Sequence, residues 1–223
     1  MKIAFRSMTA GLALAVLAGA CLADAGPRTD IDPSLGSPFI RRNRPTLGAD
    51  TAPVVVIEVM SYKCAHCRRF HQEVFPVIRE RYITPGKVRW IMIPASEDPA
   101  DSSTAIFKIG RCAQEQGDFW NLLEFMFKNN LRPSSTLNNL LEAESSVDTA
   151  GIEECLGTFK VRQEVAGDFA ELNGLMQNGL FDGTPTFFLR KRQPGGKFVE
   201  ARVDGEQRLG YFSKVLDKLL AAP

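Results

Sequence analysis

The chain has 223 residues, of which 44% are hydrophobic and 24% charged, and its 27 basic side chains nearly balance its 26 acidic ones. This length is enough to bury the core of a globular domain. The near-zero net charge argues against nucleic acid or an anionic membrane surface as a partner.

Residues 1–25 have the pattern of a signal peptide. Lys2 and Arg6 come before an uncharged stretch, residues 7–23, which is rich in Ala and Leu and short for a membrane span. The Ala-Asp-Ala sequence at the end of the segment fits the small-x-small rule for cleavage. We therefore predict a cleaved signal peptide and a mature chain that begins at Gly26.

A lipoprotein signal is the alternative for this segment, with Cys21 acylated and the protein anchored to the membrane. The fit is imperfect, because Leu17 lies one position too far from the cysteine. Cleavage or acylation at this segment leaves four of the five cysteines in the rest of the chain. Because an even number of cysteines can all form disulfides, this count is typical of a protein in an oxidising compartment. Residues 26–45 contain four prolines and are predicted to form an extended arm.

The chemistry is predicted to lie in the next segment. Residues 54–61 form a nearly continuous apolar run, which predicts a strand buried on both faces. The run leads into Cys64-Ala-His-Cys67 and a helical pattern that is kinked at Pro76. A helix that begins here offers unpaired N–H groups and its positive dipole end to Cys64, which favours a thiolate. The segment therefore predicts a site of thiol–disulfide exchange.

Glu58 interrupts this apolar run, and two interpretations of it stay open. Its carboxylate points outwards at the end of the strand, or it lies buried below the two thiols. In the second case it would be costly when charged and would act as a proton acceptor.

Two metal-binding interpretations of the cysteine motif are weaker. Zinc held by the two cysteines with His66 and His71 would need a second well-spaced ligand pair, and none is adjacent in sequence. Covalent haem requires His directly after the second cysteine, where this chain has Arg68. We therefore predict no metal and no cofactor. Taken alone, His71 is predicted to lie on the helix surface, and Arg68 and Arg69 are predicted to be solvated.

The elements beyond the motif suggest an α/β protein with a helical interruption. Residues 87–93 predict a strand, so the order is β–α–β with short connections, which implies parallel strands. Helices are then predicted across residues 102–117, 118–127, 136–144, 149–156 and 158–177. After Gly179, two strands flank a Pro-Gly-Gly turn at 194–196, and a final helix covers 207–220.

Cys112 and Cys155 fall within this helical region. In an exported protein, two such thiols favour a structural disulfide. The alternative is a pair of buried, unreactive thiols.

Four segments carry a resemblance to a known family. They are the stretch from Glu58 to Cys67 with His between the cysteines, Leu47-Gly48 with Ala52-Pro53, residues 112–120, and Gly183-Thr184-Pro185-Thr186-Phe187. In these segments the chain resembles the DsbA-like thiol:disulfide oxidoreductases, which are bacterial thioredoxin-fold proteins with a helical insertion. The resemblance covers about residues 46 to 220.

This resemblance implies an α/β, thioredoxin-like fold, in which a central mixed sheet is flanked by helices and interrupted by an all-helical insertion. The first half of the fold would occupy residues 46–100, the insertion 101–178 and the second half 179–223.

The resemblance also implies the roles of the site residues. Cys64 would be the exposed nucleophile, Cys67 the buried resolving thiol and His66 the group that stabilises the Cys64 thiolate. Thr184 and Pro185 would face the two cysteines across a groove, with a cis peptide bond between them.

The implied function is disulfide formation in exported proteins, in the periplasm. The partners would be reduced or misfolded exported proteins and a membrane protein that reoxidises the enzyme. Ala65 departs from the oxidases, which often have Pro there, and residues between the cysteines tune the redox potential. An isomerase or reductase of the same fold is therefore an alternative. A second alternative, from another class, is a non-catalytic exported chaperone or metal-binding protein.

Overall fold

The computed structural model describes residues 43–95, 103–130, 148–180 and 182–222. The predictions for the signal peptide, for cleavage before Gly26 and for acylation of Cys21 lie outside these residues. The predicted helix over 136–144 and most of the predicted arm also lie outside them.

A five-stranded mixed sheet forms the centre of the fold, in the order β1-β3-β2-β4-β5. Strands β2 and β3 are parallel, as the sequence predicts, and the other three pairs are antiparallel. The strands are β1 (Thr46–Leu47), β2 (Val54–Met60), β3 (Val88–Pro94), β4 (Thr186–Arg192) and β5 (Phe198–Asp204).

Helices connect the strands and cover the sheet. They are α1 (Ala65–Glu73), α2 (Phe75–Ile78), α3 (Ser103–Glu115), α4 (Phe119–Lys128), α5 (Thr149–Leu156), α6 (Phe159–Gln177) and α7 (Leu209–Ala221). Pro76 separates α1 from α2, because it has no N–H to continue the helix and its ring clashes with the preceding turn. Within the described residues, none of the helices is long and apolar enough to cross a membrane.

The two faces of the sheet bury different helices. On one face, Val56 and Trp90 pack in a core with Phe70 of α1 and Phe212 of α7. On the other face, side chains of β2 and β3 pack against Leu172 and Leu175 of α6. The odd and even positions of β2 therefore face different cores, which explains its continuous apolar pattern.

The described helices of the insertion have their own core, which reaches the active site. This core contains Cys112, aromatic side chains of α4 and, from the other part of the fold, Met60 and Cys67. A disulfide between Cys112 and Cys155 links α3 to α5 in this structure. The thioredoxin-like fold with helical content is confirmed.

Candidate active site

Cys64 is the N-cap residue of α1. Its backbone is extended, with φ −74° and ψ 118°, and its sulfur accepts a hydrogen bond from the backbone N–H of Cys67 at 3.4 Å. The helix starts here because the side chain satisfies one of the N–H groups that the first turn leaves unpaired. Both Cys64 and Cys67 are free thiols in this structure.

The environment of Cys64 lowers the pKa of its thiol to about 5. The largest cause is a hydrogen bond from the Cys67 side chain, followed in the same direction by Thr184 and by the backbone N–H groups of Cys67 and His66. Partial burial opposes these effects. Hydrogen bonds that favour the thiolate therefore outweigh the cost of its desolvation.

Cys67 has the opposite environment. Its side chain is completely buried, in the same core as Met60 and Tyr62. Burial raises the pKa of Cys67, and the hydrogen bond to Cys64 and the charge of Glu58 raise it further. One thiol of the pair is thus accessible and acidic, whereas the other is inaccessible and holds its proton.

The loop before β4 forms the opposite wall of the site. The Thr184–Pro185 peptide bond is cis. The backbone carbonyl of Thr184 lies 3.3 Å from the Cys64 sulfur and accepts a hydrogen bond from it when Cys64 is protonated, whereas the Thr184 side chain favours the thiolate. The structure therefore brings Thr184 and Pro185 to the cysteines across about 120 residues of sequence.

Glu58 is fully buried on β2, on the face that α1 covers. Trp90 Nε1 donates a hydrogen bond to its Oε2 at 2.9 Å, and His71 Nε2 lies 2.9 and 3.0 Å from the two carboxylate oxygens. Of the two interpretations from the sequence, the structure therefore contradicts the outward-pointing one. The role of Glu58 as a proton acceptor stays a prediction.

The prediction that His71 lies on the helix surface is wrong. Only 6% of its side chain is exposed, and its ring contacts Phe75 and Phe127 as well as Glu58. His71 also lines a groove of about 380 Å³ between α1–α2 and α4. It therefore lies between the buried carboxylate and this groove.

The His66 ring forms its hydrogen bonds with Glu206 and Arg69 and not with the Cys64 sulfur. The side chain is 63% exposed, and its Nδ1 lies 3.0 Å from Oε2 of Glu206 and 2.7 Å from a guanidinium nitrogen of Arg69. Arg69, which was predicted to be solvated, also forms an ion pair with Glu206 at 2.7 Å. The predicted role of the His66 ring at the Cys64 thiolate stays a prediction.

Three contributors to this site were not identified from the sequence. His71 had a signal, because it follows Cys67 by four residues and so shares a helix face with it. Trp90 and Glu206 had none, since each meets the site only through tertiary structure. Among the described residues, no group of three or more His, Cys, Asp or Glu side chains could hold a metal ion.

Comparisons with known proteins are consistent with this geometry. The family described as thioredoxin matches residues 41–215. Disulfide bond formation protein D of Bacillus subtilis is 26% identical over 164 residues, which are 70% of this chain and 72% of that protein. A putative protein-disulfide oxidoreductase of Rickettsia felis is 25% identical, and the match covers 71% of this chain but 57% of the rickettsial protein.

A solved structure is similar over most of its length. The crystal structure of Wolbachia pipientis alpha-DsbA1 has a TM-score of 0.67 and 26% sequence identity. The superposition covers 82% of this chain and 93% of the other.

Proposed function

This chain belongs to the thioredoxin family and is a DsbA-like thiol:disulfide oxidoreductase, and from this premise we propose that it forms disulfide bonds in exported proteins through Cys64 and Cys67. The contrast between the two thiols carries the proposal. Cys64 is accessible and acidic, whereas Cys67 is buried and holds its proton. This asymmetry fits a pair in which one sulfur meets the substrate and the other resolves the intermediate.

The reaction begins with the Cys64–Cys67 disulfide. A substrate thiolate attacks the Cys64 sulfur, a mixed disulfide forms, and the Cys64–Cys67 bond breaks with its electron pair on Cys67, which takes up a proton. A second substrate thiolate then attacks the substrate sulfur of the mixed disulfide, and Cys64 leaves as a thiolate. The substrate loses two electrons and the enzyme gains them.

Glu58 is proposed to exchange the proton with Cys67. It is buried, and its charge acts on the Cys67 thiol. In the oxidising direction the Glu58 carboxyl group supplies the proton when Cys67 is released, and in the reverse direction the carboxylate accepts it. The hydrogen bonds from Trp90 and His71 fix the carboxylate in place.

The substrates and partners follow from this chemistry. Reduced or misfolded exported proteins would supply the dithiols, and their extended segments would pair with the backbone of Thr184 beside Pro185. A membrane protein with a more oxidising disulfide would take the two electrons from the reduced enzyme. The signal-peptide pattern of residues 1–25 supports a periplasmic location.

The function is tested by the reduction potential and by trapping the intermediate. We expect the pair to be clearly more oxidising than thioredoxin, for which the potential is about −270 mV, and a value near that figure would contradict the proposal. In the Cys67→Ser variant, the Cys64 thiolate should attack a disulfide-bonded peptide and release one peptide thiol, which leaves a trapped mixed disulfide that mass spectrometry detects. Cys64→Ser should trap none and should not oxidise a reduced peptide.

Glu58→Gln tests the proton-transfer role. The amide cannot accept a proton from Cys67, so we expect the rate at which Cys67 resolves a mixed disulfide to fall about tenfold or more at neutral pH. Stopped-flow mixing of reduced enzyme with an oxidised peptide measures this rate. Glu73→Gln is the matched control, because Glu73 is exposed on α1. If Cys67 resolves the mixed disulfide at equal rates in the two variants, Glu58 does not accept the proton of Cys67.

Isomerase or reductase activity is the second candidate, and one observation favours it. The His66 ring is bound to Glu206 and not to the Cys64 sulfur. A thiolate that receives no hydrogen bond from this ring is less stabilised, which makes the disulfide form less oxidising.

A further inference from the structure

Glu206 lies on the turn between β5 and α7 and contacts two side chains of α1. Its Oε2 lies 3.0 Å from Nδ1 of His66, and Arg69 Nε donates to its two oxygens at 3.0 and 3.2 Å. His66 and Arg69 are more exposed than Glu206, whose side chain is 21% exposed. The carboxylate is therefore the shared anchor of this three-residue network.

Both partners of Glu206 lie beside the reactive sulfur. His66 is one of the two residues between the cysteines, and Arg69 interacts electrostatically with Cys64. Hydrogen bonds from the Cys67 thiol, the Thr184 side chain and backbone N–H groups are the main causes that lower the pKa of Cys64. The side chains of His66 and Arg69 form their hydrogen bonds with Glu206 and with each other, and not with the Cys64 sulfur. The thiolate thus forms without a hydrogen bond from the nearby imidazole.

Nδ1 of His66 can form a hydrogen bond with only one of its two neighbours, Glu206 or Arg69, at a time. When Nδ1 carries a proton it donates to Glu206, and when it is deprotonated it accepts from Arg69, 2.7 Å away. Arg69 is itself paired with Glu206. In both protonation states, Glu206 therefore holds the ring and the guanidinium group in one network.

We propose that Glu206 is a positioning residue that weakens the oxidising strength of the Cys64–Cys67 pair by engaging the His66 ring and the Arg69 guanidinium group, so that neither donates a hydrogen bond to the Cys64 sulfur. This inference rests on the proposed function. When the disulfide oxidises two glutathione molecules, one glutathione disulfide and the enzyme dithiol are formed, with Cys64 as thiolate and a proton released. Once released from Glu206, the His66 ring and the Arg69 guanidinium group would be free to donate hydrogen bonds to that thiolate, which would shift this equilibrium towards the reduced enzyme.

Glu206→Gln tests the inference through the equilibrium constant with glutathione. We expect the constant for reduction of the enzyme to rise about three- to tenfold, where tenfold corresponds to about 30 mV. The absorbance of the thiolate at about 240 nm should also titrate at lower pH. Glu200→Gln is the matched control, because Glu200 pairs with Arg190 on the same hairpin, on strands β4 and β5. An unchanged or smaller constant for Glu206→Gln would overturn the inference.

A second background separates positioning from a general effect of charge. In a His66→Gln/Arg69→Gln variant, Glu206 has neither of these two side chains to engage. Adding Glu206→Gln to this variant should therefore change the logarithm of the equilibrium constant with glutathione by less than half of the change seen in the wild-type background. If Glu206→Gln changes the equilibrium constant in this variant as much as in the wild type, Glu206 does not act by positioning His66 and Arg69. The wild-type potential tests the proposed function separately, because the present inference depends only on ratios between variants.

Discussion

At the scale of single residues, the site separates two chemically identical thiols by their surroundings. Cys64 accepts hydrogen bonds at a helix N-terminus, where oriented N–H groups favour negative charge. Cys67, one turn further along, points into an apolar core that disfavours its thiolate. The three-residue offset is therefore enough to give the two sulfurs opposite environments and opposite shifts in pKa.

This difference predicts how stability depends on pH. The pKa of Cys64 is about 5 in the folded protein, against an ordinary value of 9.0. Because the folded pKa is the lower one, the thiolate stabilises the reduced protein fully above the ordinary pKa, and this contribution is lost as pH falls through about 5. The oxidised protein has no thiol to titrate. We expect the free energy of unfolding of the reduced form, relative to the oxidised form, to increase between about pH 5 and 9.

Denaturant unfolding of both redox forms at several pH values measures this difference. The range should stop near pH 9, because the raised pKa of Cys67 acts in the opposite direction once unfolded thiols ionise. Cys64→Ser is the control, and its free energy of unfolding should not show the increase. If the free energies of unfolding of the two wild-type redox forms change in parallel with pH, the pKa of Cys64 is not lowered in the folded protein.

At the scale of elements, the sequence indicates strands and helices where their pattern is local. The apolar run of β2, the cysteines at the start of α1 and the Pro-Gly-Gly turn between β4 and β5 each depend on neighbouring residues. Strand β1 was not predicted, because two residues show no periodicity. It exists through its antiparallel pairing with β3, Thr46 opposite Ile91 and Leu47 opposite Trp90.

Contacts between side chains of different elements are harder to predict from local sequence patterns. The disulfide between Cys112 and Cys155 could be predicted because cysteine number and compartment restrict the choices. The burial and hydrogen bonding of Glu58 could not be predicted, because its partners Trp90 and His71 lie on other elements, β3 and α1. His71 was predicted to lie on the helix surface, and only the fold shows that Phe127 of α4 covers it.

At the scale of the whole molecule, a buried ionic cluster links the start of the described chain to the helical insertion. Asp168 of α6 binds Arg44 at 2.6 Å and Arg111 of α3 at 2.7 Å, and Arg44 also binds Glu171. All four side chains are almost completely buried. Among the described residues, two cations and two carboxylates thus pair in this cluster, which offsets the cost of removing them from water.

Asp168→Asn should therefore destabilise the protein strongly, because it leaves two buried guanidinium groups with one carboxylate between them. We expect a loss of about 3–5 kcal/mol in the free energy of unfolding, measured by denaturant titration. Glu115→Gln is the matched control, since Glu115 and Lys160 form an exposed ion pair between the same helices, α3 and α6, at 2.9 Å. Exposed pairs contribute about 1 kcal/mol or less. Similar losses for the two variants would show that the cluster does not hold the insertion to the segment before β1, whereas a large difference would assign that link to Asp168.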